Sequence, residues 1–491
     1  MPLPQLSYVS GINRKTMKQR TVLFLLSVLL TGNISASDHI PTQFSSHFRT
    51  ATRAFYLWRC GCAVETDYGG NHYVHKPCHL KDGYMDYVDG THTIRDGVGG
   101  WHDAGDYGKY TVNAAITVAN LFLAWEHFQK KIEAEPLGLP ETASGYPEFL
   151  KEIKWETDFL LKMQYPDGSG RVSHKLTRKS FSDFIMPDAD DGERYFTQWS
   201  SPATADFAAV MAMAARYFRP YDRQYAQRCL DAAKVSWNFL QQHPERKLWK
   251  QGDFSTGGYG TSDEDDRLWA CAEMFETTGE KALLKQLEEL IVAIPLTIKE
   301  VKDSDFQRAI GRSYISSDWD WGNVTNLGVW RYAMTKHSGR NKQLIADVRK
   351  AIVADAKHLV ELSKSNSYGY TIEKFKWGCN GVQARQTVNL HMADLIAPDA
   401  QYLSCLQGIA VYLLGNNVYQ RSFVTGVGKN PPMHPHDRRS MADGIDNPWP
   451  GYLVGGGHTP TDWVDEEADY SRNEIAINWQ AGLVYLFAAL L

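Results

Sequence analysis

The sequence predicts one large all-helical domain, and three observations carry that expectation. The chain has 491 residues, 43% hydrophobic and 22% charged. That is far beyond the size at which a core is hard to bury, which excludes disorder and a disulfide-stapled miniature fold. About a dozen segments carry apolar residues at helical spacing, as Val112, Ile116, Ala119 and Leu123 do. No alternating apolar and polar runs compete with them, and no long linker divides the chain.

Taken in order, the chain opens with a secretory leader over residues 1–37. Lys18 and Arg20 precede an apolar run from Val22 to Leu30, and the small residues Ser35, Ala36 and Ser37 follow. The run is too short to span a bilayer. Met17, just ahead of the basic residues, is a possible true start. The predicted helices cover residues 41–57, 106–130, 147–164, 203–218, 222–241, 264–278, 281–294, 322–336, 341–364, 381–393, 399–414 and 474–489. Each repeats its apolar residues every three or four positions, which places them on one face of a helix. Between them lie long stretches rich in Gly, Pro, Asp, His and Trp, at 59–106, 165–201, 250–266, 303–322, 365–381 and 416–473. Loops carried on a helical scaffold are where chemistry is expected.

Composition narrows the partners. Acidic residues outnumber basic ones by 57 to 52, a net charge of −5, so no basic excess exists to neutralise nucleic-acid phosphates. After the leader no stretch is apolar enough for a membrane span, and the mature chain is expected to act as a soluble monomer, secreted or periplasmic. Fifteen Trp and 25 Tyr supply flat platforms of the kind that stack on sugar rings. Seven cysteines cannot form a closed set of disulfides. Cys229, Cys271 and Cys405 fall inside apolar helical patterns and read as core thiols, whereas Cys60, Cys62 and Cys78 have histidines around them.

The densest motif is Gly99-Gly100-Trp101-His102-Asp103-Ala104-Gly105-Asp106-Tyr107-Gly108-Lys109-Tyr110. Two carboxylates three apart can project from one turn toward a common point. They repel, so either one has a raised pKa or both hold one water; alternatively, Asp103 or Asp106 merely caps the following helix. A second acidic cluster, Asp462 to Glu474, precedes the last apolar segment. Glu474 alone would read as a helix-start residue that favours the dipole.

These two segments and a third, Ser422 to Arg438, resemble the family 9 glycoside hydrolases, mostly cellulases, over about residues 45–491. The resemblance rests on Asp103-Ala104-Gly105-Asp106, on the stretch from Gly428 through Asn430 and His436 to Arg438, and on Tyr470 with Asn473-Glu474. It implies an (α/α)6 barrel and single-displacement hydrolysis with inversion. Asp106 would be the general base, Asp103 would help hold the water, and Glu474 would be the general acid. It further implies substrate contacts from His436, Arg438, Tyr470 and Trp377.

Cys60, Cys78, His79 and His102 form a candidate structural zinc set, a pattern similar to one found in bacterial members. Two thiolates and two imidazoles close a tetrahedral shell with no open position. A Cys60–Cys78 disulfide, or Cys62 in place of either partner, is the alternative. Thr261, Ser262, Asp265 and Asp266 match the family's calcium loop, in an oxygen-rich stretch that also reads as a solvated acidic helix start. Residues 38–491 are expected to be a lone catalytic domain, with neither the immunoglobulin-like domain nor the carbohydrate-binding module that accompanies many relatives. The leading expectation is an endo-acting β-1,4-glucanase on β-glucan, with no organic cofactor. The alternatives are an exo-acting β-glucosidase or β-glucosaminidase, a non-catalytic carbohydrate-binding relative, and a zinc-dependent hydrolase.

Overall fold

The computed structural model describes residues 44–140, 145–294, 296–300 and 307–491; the predicted leader lies outside them. The helices are α1 (Ser45–Leu57), α2 (Thr111–Glu133), α3 (Glu148–Met163), α4 (Ser201–Phe218), α5 (Arg223–Gln242), α6 (Glu264–Thr278) and α7 (Lys281–Ala293). They continue with α8 (Thr325–Met334), α9 (Lys342–Lys364), α10 (Cys379–Ile396), α11 (Ala400–Leu413), the short α12 (Arg438–Ala442) and α13 (Tyr470–Asn473), and α14 (Ile477–Leu490). The twelve long ones among the described residues match the twelve predicted segments.

Two kinds of helix alternate along the chain. α2, α4, α6, α8, α10 and α14 are buried nearly all round; α4 carries Ala203, Ala205, Ala208, Ala209, Ala212 and Ala214 at full burial. A helix apolar on every side belongs inside a larger assembly. α1, α3, α5, α7 and α9 bury one face only, as α9 does with Leu344, Val348, Ile352, Leu359 and Val360. α14 packs on α2 and α10, α2 on α4, α4 on α6 and α6 on α8, while α1, α3, α5, α7, α9 and α11 lie against this inner ring. The result is an (α/α)6 barrel. Side-chain caps start several helices: Ser200 accepts from the Ala203 N–H, Asp222 from Tyr225 and Asp399 from Gln401. Among the described residues no helix is long and apolar enough to cross a membrane.

The sequence reading missed the strands. β1 (Val64–Tyr68) and β2 (Asn71–His75) form a hairpin with Val64 opposite His75. Its turn, Gly69-Gly70, has φ of 58° and 85°, which glycine adopts without a Cβ clash. β3 (Lys109–Tyr110), β4 (Lys175–Thr177) and β5 (Tyr195–Phe196) make a small antiparallel sheet. β6 (Leu296–Glu300) pairs with β7 (Gln307–Arg312). The second predicted helix therefore begins at Thr111 rather than 106, because Lys109 and Tyr110 pair with β4 instead.

Candidate active site

The acidic motif is woven to the chain's end by backbone bonds. His102 N–H donates to Trp58 O at 2.9 Å, and Asp103 N–H to Gly108 O at 3.0 Å. Ala104 bridges Ala476, and Ile477 N–H donates to Asp103 O at 2.9 Å. Glu474 bridges His436 on its other side. Three segments far apart in sequence thus form one surface. Gly105 is where they press closest: a Cβ there would lie 2.1 Å from the His436 carbonyl oxygen. Gly105→Ala is therefore expected to push the 436–438 turn off the acidic loop. A shift near 1 Å costs roughly 10²-fold in rate, to be read as kcat/KM beside Tm.

Asp103, Asp106 and Glu474 line one cavity of about 410 Å³ with Tyr110, Phe181, Tyr259, Asp320, Trp321, Trp377 and Trp479 among its walls. Asp103 accepts from Asn113 Nδ2 at 2.7 Å and from the Tyr259 hydroxyl at 2.5 Å. Asp106 Oδ2 accepts from Gly108 N–H at 2.9 Å and the Tyr110 hydroxyl at 2.8 Å. Burial, then the charge of Asp106, pushes Asp103 up to about 8, against the pull of its two donors. Burial, then the charges of Asp106 and Asp103, raises Glu474 well above the ordinary carboxyl range. A recessed carboxyl that keeps its proton, facing carboxylates across an aromatic cavity, can donate that proton to a bound ether oxygen.

The other expected site residues gather here, in different ways. Trp377, half exposed, stands edge-on to exposed Tyr470 with ring centroids 5.5 Å apart. His436 donates from Nδ1 to Glu467 O at 2.6 Å. Arg438 is buried, with Nη1 on Gly105 O at 2.8 Å and Nε on Ser182 O at 3.1 Å, and its guanidinium lies over Phe181 and Phe184. Its guanidinium is therefore spent on tying the acidic loop to the backbone at Ser182. Sequence reading did not single out Tyr110, Asn113, Tyr259, Trp321 or Phe181. Tyr110 lay inside the motif, and the flanking glycines Gly257, Gly258 and Gly260 were the one sequence signal at Tyr259.

Beneath the acidic loop, Cys60, Cys78, His79 and His102 bring their ligand atoms within 4.8 Å of one another. His79 Nδ1 lies 3.2 Å from His102 Nε2 and 3.6 Å from Cys60 Sγ, and Cys78 Sγ lies 3.9 Å from His102 Nε2. A tetrahedral ion with Zn–N of about 2.0–2.1 Å and Zn–S of about 2.3 Å needs N···N near ~3.3 Å and S···N near ~3.6 Å. The four residues fit that shell. His79 Nε2 also reaches Asp190 Oδ2 at 3.3 Å, the carboxylate support expected behind a metal-binding imidazole. Cys60 and Cys78 are both free thiols, so no disulfide joins them to each other or to Cys62.

The four residues matched to the calcium loop are placed differently from one another. Thr261 Oγ1 donates to Gly322 O at 3.3 Å, and Asp265 Oδ2 accepts from Val324 N–H at 2.7 Å. Ser262 is exposed, while Asp266 is wholly buried against Asp206 of α4. None of the four carboxylate oxygens of Asp206 and Asp266 has a hydrogen-bond partner among the described residues; nothing below is routed through calcium.

The fold and the carboxylate-lined cavity define a glycoside hydrolase. Residues 44–487 match the description Glycosyl hydrolase family 9, and the chain belongs to that family. Endoglucanase D of Acetivibrio thermocellus is 48% identical over 448 residues, covering 91% of this chain and 69% of that protein. The structure of AaCel9A in complex with cellobiose-like isofagomine superposes with a TM-score of 0.81 at 30% identity, covering 91% of this chain and 84% of the other. A Zn-binding triple mutant of the family 9 endoglucanase J30 gives the same TM-score and identity over 93% and 87%. The family resemblance and barrel expected from the motifs are both borne out.

Proposed function

We propose that this chain is an exported, monomeric, inverting endo-β-1,4-glucanase that cuts internal bonds of cellulose or related β-glucans. The observation that carries the reading is the proton-bearing Glu474 facing Asp103 and Asp106 across one aromatic cavity. Its likeness to an endoglucanase at 48% identity supports the endo mode. Trp377, Tyr470 and Trp321 supply the stacking faces for glucose rings, and His436 borders the cleavage point.

In the proposed reaction a water held by Asp103 and Asp106 attacks the anomeric carbon as Asp106 takes its proton. Glu474 passes its proton to the glycosidic oxygen as the C1–O bond breaks, so one proton enters and one leaves the protein. Inverting enzymes keep the two groups roughly 6.5–9.5 Å apart to admit that water. The hydroxyls of Tyr110 and Tyr259 fix the carboxylates while the water is activated. The Cys60, Cys78, His79 and His102 set suits zinc, whose closed shell would brace the loop and supply no reacting ligand.

Product analysis on carboxymethylcellulose, cello-oligosaccharides and chitosan oligomers tests the substrate and mode together. Viscosity should fall well before much reducing sugar appears, and chitosan should stay intact. Glucose or glucosamine released from chain ends, at unchanged viscosity, would replace this reading with the exo-acting one.

A further inference from the structure

Lys175 opens β4 and is wholly buried. Its ammonium contacts only uncharged oxygens: Gln251 Oε1 at 3.0 Å, Thr256 Oγ1 at 3.1 Å, and the carbonyls of Thr256 at 3.3 Å and Gly257 at 2.8 Å. The rings of Tyr110, Trp249 and Phe254 surround it, with centroids 5.0–5.7 Å away. A buried cation without a carboxylate partner is costly and calls for a reason. That reason lies two bonds further on. Gly257 N–H donates to the Tyr110 hydroxyl at 3.1 Å, and Tyr110 donates to Asp106 Oδ2 at 2.8 Å. The same loop carries Tyr259 to Asp103. Next to Lys175, His174 stacks on Trp249 and donates from Nε2 to Gly258 O at 2.7 Å, so two adjacent residues of β4 and its approach grip both glycines.

We infer that Lys175 is a positioning residue for Asp106: it orients the Gly257 amide and Tyr110 hydroxyl that hold the carboxylate, and it places a cation behind them. This rests on the proposed role of Asp106 as base. The groups facing Asp106 are Asp103 on its own loop, Tyr110 on β3, Glu474 before α14, His436 and the Gly105-bound Arg438 on the 436–438 turn, and Lys175 on β4. Asp103 and Glu474 are acidic neighbours of Asp106, and Lys175 adds a basic one on β4. Burial lowers the ammonium to about 7, partly offset by the charge of Asp106, so it is charged at acidic pH.

The test is the pH dependence of kcat/KM for Lys175→Met beside Asp106→Asn. With the positive charge removed, the acid limb should move up by about one pH unit. kcat should fall roughly 10²-fold with KM within about twofold, because Lys175 itself does not line the cavity. Tyr110→Phe should cost much less in the Lys175→Met background than alone, since both act through one chain. An unmoved acid limb, or costs that multiply independently, would overturn the inference. Near-normal turnover by Asp106→Asn would instead sink the reading of the base. Should Lys175→Met not fold, Lys175→Gln removes the same charge while keeping a donor, and is read by the same two criteria.

Discussion

Glu474→Gln is expected to abolish nearly all turnover on cellulose while leaving Tm close to that of the parent. The amide keeps the shape of the side chain but has no acidic proton. Loss of general acid catalysis typically costs 10²–10⁴-fold, and a sugar alkoxide is a poor leaving group, so the upper end applies. An activated aryl cellobioside needs less protonation and should be partly spared. The parent's alkaline limb follows from the same group. Its pKa is raised by burial and by the charges of Asp106 and Asp103, so the acid keeps its proton to a higher pH than an ordinary carboxyl does. Activity should be lost as pH climbs through that raised value, and the limb should vanish from the residual activity of Glu474→Gln. Near-parental rates on cellulose from the variant would remove Glu474 from the mechanism.

Stripping metal, or substituting Cys78→Ser, is the second large effect. The four candidate ligands tie the end of α1, the 78–79 turn and the residue before Asp103 into one knot. Metal held only by the folded chain adds its binding free energy to stability, provided the unfolded chain binds it poorly. Chelation should therefore lower Tm by roughly 5 °C or more. Activity should fall by on the order of 10²-fold as the carboxylates lose register. Metal content measured beside thiol titration checks the account: one zinc per chain with both thiols reduced is expected. Metal-free protein of full activity and unchanged Tm would contradict it.

The helices were legible because their signal is local. α9 repeats Leu344, Val348, Ile352, Leu359 and Val360 on one face, and α4 declares itself by alanines on every side. The strands were not. In β1 and β2 the buried positions Val64, Thr66, Tyr73 and His75 do alternate about a Gly69-Gly70 turn, but over only five residues each. Lys109 and Tyr110 read as helix because nothing near them in sequence shows that β4 waits 65 or more positions on. The candidate site divides the same way. Its three carboxylates sit in dense motifs that can be read directly. The groups that tune them come from elsewhere: Tyr259 reaches Asp103 across 156 positions, and Lys175 acts through Gly257. Such partners are chosen by the barrel's geometry, which no short stretch encodes. Arg438 shows the converse, a residue visible in a motif whose nitrogens largely hold backbone carbonyls.

The proposed division of labour between Asp106 and Glu474 is tested most directly by the stereochemistry of the first product. Proton NMR of fresh hydrolysate from cellopentaose, recorded before mutarotation, reports which anomer forms. Attack by a water held on Asp106, opposite an acid on the leaving-group side, requires the α-anomer from a β-linked substrate. Initial appearance of the β-anomer would mean a covalent intermediate on a carboxylate nucleophile close to the acid, and would contradict the account.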